Sequence, residues 1–340
     1  MKVLVATHEY SGHGAAVMLL AVLKHWIRDL GWTVDVLLDL DREVPPDLAS
    51  VGANIFSEAI PTEYDVALVN TVMMPRYIET LSPQVPTVLW VHEGETVLWS
   101  WQLTPAQWRN LFRLPARIIF QGPWQSEGVF RSFLTGLPRG IVSCVRNGLP
   151  ELPPDLIAKP KTPGKARVVF VGGVYGRKRP QDLVEAVLSL GRDDVECLFV
   201  GPIEGIATIG ADAVAKIQSH PDCFKLLGEL DRKTGLEYVM SADVFCLPSG
   251  DESQPLAPLE AAALGVPCLL TDLEPYADTW RHGVNCLLNP AGDWHTLRSN
   301  LRTVLDDKVV REQVTKRALE LPSRFSMGAF FKRFNAELPI

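Results

Sequence analysis

Residues 168–183 read VVFVGGVYGRKRPQDL, and this stretch decides the fold class. The apolar run Val168–Gly172 is typical of a buried strand, and a segment with helical spacing begins at Pro180. A strand, a glycine-rich turn and a helix in this order form one repeat of a parallel sheet that helices cover on both faces. Ligands of such sheets bind beyond the carboxyl ends of the strands, so the turn is a candidate binding site.

The same alternation of strand and helix recurs along the whole chain. The other predicted strands are Lys2–Ala6, Thr33–Leu38, Val66–Asn70, Thr87–Val91, Arg117–Phe120, Ile141–Val145, Glu196–Val200, Phe224–Leu227, Val244–Leu247 and Pro267–Thr271. Residues 156–165 are rich in proline and lysine, as is typical of an interdomain linker. The pattern therefore predicts an α/β chain of two tandem doubly wound, Rossmann-like domains.

The N-terminal domain is predicted to span residues 1–155 and the C-terminal domain residues 166–324, with an interdomain cleft as the usual place for a site. Residues 325–340 are predicted to form an amphipathic helix with several phenylalanines on one face. This helix is expected to pack on the N-terminal domain, and contact with a membrane surface is the alternative.

Composition narrows the classes of function. The chain has 340 residues, of which 47% are hydrophobic and 21% charged, as in an ordinary soluble globular protein. A net charge of −7 disfavours nucleic acid as a partner. The six cysteines include no Cys-x-x-Cys pair, which predicts free thiols, no zinc and a reducing compartment. The sequence lacks an apolar run of the ~20 residues that a transmembrane helix needs. The first predicted strand also begins too early to leave room for a signal peptide. A cytoplasmic location is therefore expected, and peripheral attachment to a membrane is left open.

Two glutamates, Glu252 and Glu260, stand on either side of a predicted helix N-terminus that includes Ser253, Gln254 and Leu256. The first follows an apolar strand, and the second lies in the first turns of an alanine-rich helix. A helix N-terminus favours anions, so the segment suits a ligand with a diphosphate between two hydroxyl-bearing rings. The alternative is that these carboxylates only complement the helix dipole and face solvent.

A second candidate feature is the run of cations at Arg177, Lys178 and Arg179, directly after Gly172 and Gly173. Three cations at a helix N-terminus repel one another unless an anion binds there, and a diphosphate would relieve the repulsion. The alternative is a solvated basic loop.

The N-terminal half offers weaker signals. Gly12 and Gly14 follow the first strand, where glycine allows a close approach of the backbone to a ligand or simply forms a tight turn. His92 at a strand end is a candidate proton carrier or sugar contact, and a core histidine is the alternative. Trp99 and Trp101 suit stacking on sugar rings and equally suit core packing. The pair Asp39 and Asp41 more commonly closes a turn than binds a metal, so no metal site is predicted.

Taken together, these motifs resemble the retaining glycosyltransferases of family 4, which have the GT-B fold. Glu252 and Glu260 match the Glu-x7-Glu element of that family. Four other segments match in order: Ser11–Ala15, Asn147–Gly148, Val171–Lys178 and Leu227–Gly228. Departures occur at Gly173, where many members carry arginine, and at Ser253 and Gln254, where glycine and phenylalanine are common.

The resemblance implies a metal-independent transfer, without a cofactor, of a sugar from a UDP- or GDP-sugar to a glycan, lipid-linked or small-molecule acceptor. It implies that Glu252 binds the donor sugar, that Lys178 and Arg177 neutralise the leaving diphosphate, and that His92 lies near the reacting sugar. The other donor contacts would be Gly12, Gly14, Gly173, Gly228, Ser253, Gln254, Leu256 and Glu260, and the acceptor contacts Glu93, Trp99 and Trp101. A GT-B-like epimerase or phosphorylase, and a catalytically weak nucleotide-sugar-binding protein, are the alternatives.

Overall fold

A computed structural model describes residues 1–7, 14–37, 46–203 and 205–339 of the chain. The chain forms two compact units. Unit 1 comprises Met1–Pro150 and Phe325–Ile340, and unit 2 comprises Glu151–Arg324. The polypeptide therefore leaves unit 1 once, builds all of unit 2 and then returns.

Unit 1 is built on a parallel sheet of seven strands within the described residues, in the order β3-β2-β1-β4-β5-β6-β7. The strands are β1 (Lys2–Ala6), β2 (Thr33–Leu37), β3 (Asn54–Phe56), β4 (Val66–Val69), β5 (Thr87–Trp90), β6 (Arg117–Phe120) and β7 (Val142–Cys144). Its first helices are α1 (Gly14–Lys24), α2 (Pro46–Val51), α3 (Pro75–Leu81), α4 (Thr96–Ser100), α5 (Pro105–Arg113) and α6 (Arg131–Leu134), with π-helical turns at His25–Asp29 and Trp124–Val129 and a 3₁₀ turn at Pro61–Glu63.

Unit 2 contains a six-stranded parallel sheet in the order β10-β9-β8-β11-β12-β13. The strands are β8 (Ala166–Val171), β9 (Val195–Val200), β10 (Phe224–Gly228), β11 (Val244–Leu247), β12 (Cys268–Thr271) and β13 (Leu287–Asn289). The helices are α7 (Pro180–Leu188), α8 (Ala211–Ser219), α9 (Arg232–Met240), α10 (Leu256–Ala263), α11 (Trp294–Asp306) and α12 (Lys308–Ala318), and 3₁₀ turns lie at Gly176–Lys178, Ile206–Ile209, Glu274–Tyr276 and Pro322–Arg324. The last helix of the chain, α13 (Met327–Ala336), belongs to unit 1.

Four strands are buried along their whole length, namely β4, β5, β9 and β11. Continuous apolar runs result because helices cover both faces of a parallel sheet. The order of strands reverses between β8 and β11, which pair directly. Such a switch point leaves a crevice at the carboxyl edge of the sheet, and the loops after β8 and β11 border it.

The predicted fold class is confirmed, and the differences are local. The sequence did not indicate β3, β13 or α12, which are short or have few buried residues. Unit 2 begins at Glu151, whereas the predicted domain boundary was residue 155. The segment predicted as a linker packs on unit 2, where Lys159 forms an ion pair of 2.6 Å with Glu237 and the Thr162 hydroxyl donates to Glu196 at 2.5 Å.

Helix α13 contributes to the core of unit 1 through its aromatic face. Phe330 and Phe334 are buried, and the ring of Phe334 lies 4.5 Å from that of Trp90. The indole nitrogen of Trp26 donates to Asn335 Oδ1 at 2.8 Å. Among the described residues, no helix has the length and apolarity required to cross a membrane.

Candidate active site

The switch point of unit 2 brings Lys178, which follows β8, into contact with Glu252, which follows β11. The Lys178 ammonium donates to Glu252 Oε1 at 2.5 Å, and the Ser249 hydroxyl donates to the same oxygen at 2.6 Å. Glu252 is only 3% exposed. Burial alone would raise the pKa of this carboxyl, but the charges of Lys178 and Arg177 lower the pKa below its ordinary value. Glu252 is therefore an ionised carboxylate in a buried position.

Arg177 completes the cluster from the same cationic turn, which we define as residues 172–179. Its guanidinium Nη1 lies 3.7 Å from Glu252 Oε2 and donates to the Asp251 carbonyl at 2.8 Å, and Nη2 donates to the Tyr175 hydroxyl at 3.2 Å. Two cations thus face the Glu252 carboxylate. Arg179 takes a different direction, because it forms an ion pair of 2.6 Å with Asp182 in α7.

The N-terminus of α10 lies directly after Glu252 in the chain. Pro255 occupies the N-cap, and no side chain of the described residues caps the helix there. Leu256 is buried at the first helical position, while Ser253 and Gln254 are half-buried. Backbone N–H groups at an uncapped helix start, together with the helix dipole, attract an anion.

Glu260 lies one turn further along α10 and pairs with Arg232 at the start of α9. The Arg232 Nη2 and Nε groups lie 2.8 Å and 3.0 Å from Glu260 Oε1. Arg232 Nη1 also donates to the Glu151 carbonyl at 3.1 Å. Arg232 thus fixes the direction of the Glu260 carboxylate, an interaction that the sequence did not indicate.

The predicted donor glycines have distinct environments. Gly228 ends β10 with a φ of 73°, and a side chain there would meet no atom within 4 Å. Gly173 is the opposite case, because a Cβ would lie 1.9 Å from the ring of Tyr175. Gly14 is exposed at the start of α1. Gly12, like Asp39 and Asp41, lies outside the described residues.

In unit 1, His92 belongs to a buried network of neutral groups at the carboxyl edge of the sheet. Its Nε2 lies 3.0 Å from Asn70 Oδ1, and its Nδ1 lies 2.8 Å from the Gln121 amide nitrogen. The amide of Asn70 donates in turn to Thr7 at 3.4 Å. This pattern fits a neutral imidazole that donates from Nε2 and accepts at Nδ1. Both ring nitrogens are therefore engaged within the protein.

Glu93, next in the chain, ties two loops of unit 1 together. It accepts from the Thr71 hydroxyl and from the backbone N–H groups of His92 and Val72, the last two at 3.0 Å and 3.4 Å. Burial raises the pKa of this carboxyl, and the hydrogen bonds only partly oppose the increase. Glu93 therefore has a structural role, in addition to the contact with the sugar acceptor that the sequence predicts.

The two tryptophans predicted as acceptor contacts lie in different environments. Trp99 in α4 is 77% exposed, whereas Trp101 packs against the core of unit 1. Only Trp99 offers an open aromatic face. No group of three or more metal-binding side chains occurs among the described residues.

Sequence reasoning missed several residues of the cluster in unit 2, namely Tyr175, Ser249, Arg232 and Tyr276. Tyr276 follows β12, and its hydroxyl is buried without a hydrogen-bond partner among the described residues. Burial raises the pKa of this phenol, as does the nearby charge of Glu252. The only sequence signal for these residues is their position just beyond a strand end or at a helix start.

Two Rossmann-like units with a charged switch point are the architecture of the GT-B glycosyltransferases, and solved structures of that class share the fold. HepE of Anabaena, solved in complex with UDP and glucose, is 16% identical and superposes with a TM-score of 0.77 over 99% of this chain and 98% of HepE. Sucrose-phosphate synthase of Thermosynechococcus elongatus is 18% identical, with a TM-score of 0.75 over 99% of this chain and 98% of the synthase.

The sequence of unit 2 is similar to a known family. Residues 155–321 match the model of the family described as glycosyl transferases group 1. A phosphatidyl-myo-inositol mannosyltransferase of Mycobacterium leprae is 28% identical over 224 residues, which are 61% of this chain and 59% of the relative. The chain spans between 28% and 59% of the length of the curated relatives it matches.

Proposed function

We propose that the chain is a retaining, metal-independent glycosyltransferase that moves a sugar from a UDP- or GDP-sugar to a sugar-containing acceptor. The observation that carries the proposal is the buried, ionised Glu252 between Lys178 and Arg177 at the switch point of unit 2. The match of unit 2 to the group 1 family model supports the enzyme class. The complexes of HepE with UDP and with UDP-glucose support a nucleoside-diphosphate sugar as donor.

The charges of the cluster fit the chemistry of this transfer. Breaking the bond between sugar and diphosphate places negative charge on the leaving group and positive character on the sugar ring. Lys178 and Arg177 stabilise the leaving diphosphate, and the uncapped N-terminus of α10 adds its partial positive charge. This set of donors stabilises the developing charge without a metal ion.

Lys178 and Glu252 can serve a donor while still paired with each other. An ammonium has three N–H groups, and a single one reaches Glu252 in this structure, so Lys178 can also bind a phosphate oxygen. Ser249 and Lys178 both donate to Glu252 Oε1, which leaves Oε2 to accept from sugar hydroxyls near Arg177. Glu252 therefore orients the donor sugar, and Glu260, fixed by Arg232, accepts from the ribose.

The retaining stereochemistry is proposed from the resemblance of the motifs to the family 4 transferases, and the state of Glu252 bears on the route by which it would be reached. A carboxylate with a lowered pKa and two donors on one oxygen is a poor nucleophile, which disfavours a covalent glycosyl intermediate on this residue. Transfer on the face of the departing diphosphate, with a phosphate oxygen taking the acceptor proton, keeps the anomeric configuration.

Unit 1 is proposed to bind the acceptor. The side chains bonded to one another around His92 at the strand ends are neutral amides and hydroxyls, and such surroundings suit a sugar better than a phosphate. Trp99 offers the exposed indole face that pyranose rings stack on. Glu93 holds the loops that carry these groups.

The test is a transfer assay with UDP- and GDP-sugars and a panel of simple glycosides as acceptors. We expect release of the nucleoside diphosphate, a product that retains the donor's anomeric configuration by NMR, and no loss of rate in EDTA. Lys178→Ala should lower turnover about 10²–10³-fold, the effect of removing one charge-stabilising donor. Lys225→Ala is the matched control, because Lys225 also contacts a buried glutamate of unit 2, Glu196, at 3.4 Å.

Three outcomes would contradict specific parts of the proposal. Near wild-type turnover in Lys178→Ala removes the role given to that residue. An inverted product rules out the retaining mechanism, and inactivation by EDTA rules out metal independence. A new hexose formed without acceptor, or a sugar phosphate formed with inorganic phosphate, would show an epimerase or a phosphorylase instead.

A further inference from the structure

We propose that Tyr175 is a positioning residue that holds Arg177 beside Glu252, and that Gly173 and Gly205 are glycines because the Tyr175 side chain fills the space next to both. The inference rests on the proposed function and deepens it. It identifies the residue that holds Arg177, one of the two cations that would bind the donor diphosphate.

Arg177 is directed by contacts at both ends of its guanidinium. Nη1 donates to the Asp251 carbonyl at 2.8 Å, and Nη2 donates to the Tyr175 hydroxyl at 3.2 Å. The guanidinium carbon also lies 5.7 Å from the centre of the Tyr175 ring, within the range of a cation–π contact. Tyr175 thus meets the guanidinium with both its hydroxyl and its ring, and Asp251 supplies the opposing contact.

The position of the Tyr175 side chain depends on two glycines. A Cβ at Gly173 would lie 1.9 Å from Tyr175 Cε1 and 2.5 Å from Cδ1. A Cβ at Gly205 would lie 2.5 Å from Tyr175 Cβ. Both distances are far shorter than any van der Waals contact, so any other residue at either position displaces the tyrosine.

The backbone of the cationic turn is fixed against the loop after β9. The Gly176 N–H donates to the Thr208 hydroxyl at 2.6 Å, and that hydroxyl donates to the Gly205 carbonyl at 2.6 Å. The Val174 N–H donates to the Pro202 carbonyl at 2.8 Å. These bonds fix the backbone on both sides of Tyr175, so the ring and its hydroxyl have a defined place from which to direct Arg177.

This arrangement has a functional consequence. An arginine side chain that is held in place before the ligand arrives loses less conformational freedom on binding. Removing the Tyr175 hydroxyl should therefore weaken binding of the diphosphate and leave binding of the nucleoside unchanged. A purely structural tyrosine would affect both ligands alike.

The experiment is a double-mutant cycle with Tyr175→Phe and Arg177→Gln in the full chain, with calorimetry on UDP, GDP, uridine and guanosine. We expect Tyr175→Phe to weaken the preferred nucleoside diphosphate about tenfold, the effect of one hydrogen bond to a charged group, and its nucleoside less than about twofold. In the Arg177→Gln background the same change should have no further effect on the diphosphate, because the residue acts through Arg177.

Two further variants complete the design. Tyr238→Phe is the matched control, because Tyr238 lies 6.0 Å from Arg167 outside the cluster, and it should bind like the wild type. Gly173→Ala should weaken the diphosphate at least as much as Tyr175→Phe, because it displaces the ring.

The outcomes distinguish a failure of this inference from a failure of the proposed function. If the wild type binds a nucleoside diphosphate but the losses in the cycle add, Tyr175 acts apart from Arg177 and the inference is overturned while the proposed function stands. Wild-type affinity in Gly173→Ala overturns it equally. If the wild type binds neither UDP nor GDP, the proposed function fails, and the inference fails with it.

Discussion

In unit 2, one buried ion pair lies near the start of strand β8 and another beyond its end, and the two pairs are built differently. Near its start, Arg167 Nε lies 2.7 Å from Glu196 Oε1. Beyond its end, Lys178 Nζ lies 2.5 Å from Glu252 Oε1. Both glutamates are almost fully buried, with 0% and 3% exposure, so burial alone does not distinguish the pairs.

The difference lies in how completely the charges are satisfied. Arg167 also donates to Ser241 at 2.7 Å and to the carbonyls of Pro160 and Lys159 at 2.7 Å and 3.2 Å. In contrast, the side-chain ammonium of Lys178 has a single hydrogen-bond partner among the described residues. Each glutamate faces two cations, since Lys225 also lies 3.4 Å from Glu196, so net charge does not distinguish the pairs. A pair whose donors are all engaged stabilises a fold, whereas a pair with unused donors has capacity for a ligand. Saturation, rather than burial or charge, separates the pair at the start of β8 from the pair proposed to bind a donor.

The largest expected effect is on stability. Arg167→Ala leaves Glu196 buried without its main counter-charge and should cost about 3–5 kcal/mol in the free energy of unfolding of unit 2. Lys178→Ala should cost much less, because Glu252 keeps Arg177 and Ser249. Urea unfolding, monitored by hydrogen exchange in peptides from unit 2, measures the loss of stability in each variant. Equal losses in the two variants would erase the distinction between the pairs.

The next effect concerns ligand binding. A nucleoside diphosphate at a hundredfold excess over its dissociation constant should stabilise the protein by about 2.7 kcal/mol. Thermal-shift measurements with UDP and GDP should show this stabilisation in the wild type and in Glu196→Gln, and only a residual shift in Lys178→Ala. A full shift in Lys178→Ala would mean that the Lys178 ammonium does not bind the diphosphate.

A smaller effect is expected in acid. Burial alone would raise the pKa of Glu196, but hydrogen bonds from Thr162 and Arg167 lower it from the ordinary 4.5 to about 2. Because the pKa is lower in the folded state, this group stabilises the fold above pH 4.5, and the contribution is lost as the pH falls from 4.5 towards 2. The free energy of unfolding should therefore fall less steeply with decreasing pH across this range in Glu196→Gln than in the wild type. Superimposable curves would contradict the assignment.

The smallest effect is on the pH profile of turnover. The Ser249 hydroxyl helps to lower the pKa of Glu252, so Ser249→Ala should raise that pKa and move the acid limb of the rate profile upwards. One hydrogen bond is worth about 1 kcal/mol, which corresponds to a shift of less than about one pH unit. Ser241→Ala, at the other end of β8, should leave the limb in place. A shift in the control but not in Ser249→Ala would reverse the assignment.

The sequence allowed us to predict the fold class and the edge of the sheet on which the candidate site lies. Alternating strands and helices form a parallel sheet, in which the carboxyl ends of all strands lie at one edge. It could not predict that Lys178 and Glu252 contact each other, since 74 residues separate them. Tyr175 was not singled out, because its part depends on the absence of a Cβ at Gly173 and Gly205. Short elements such as β13, with three residues, carry too little periodicity to be recognised.

The return of the chain to unit 1 has a consequence for synthesis on the ribosome. Trp26 is buried in unit 1, and its indole donates to Asn335, which lies 309 residues later in the chain. At roughly 5–20 residues per second, translation needs about 15–60 s to reach that partner. Throughout that interval α13 is not available to cover its face of unit 1, which includes Trp26 and Trp90. All of unit 2 is therefore synthesised before α13 can complete the fold of unit 1.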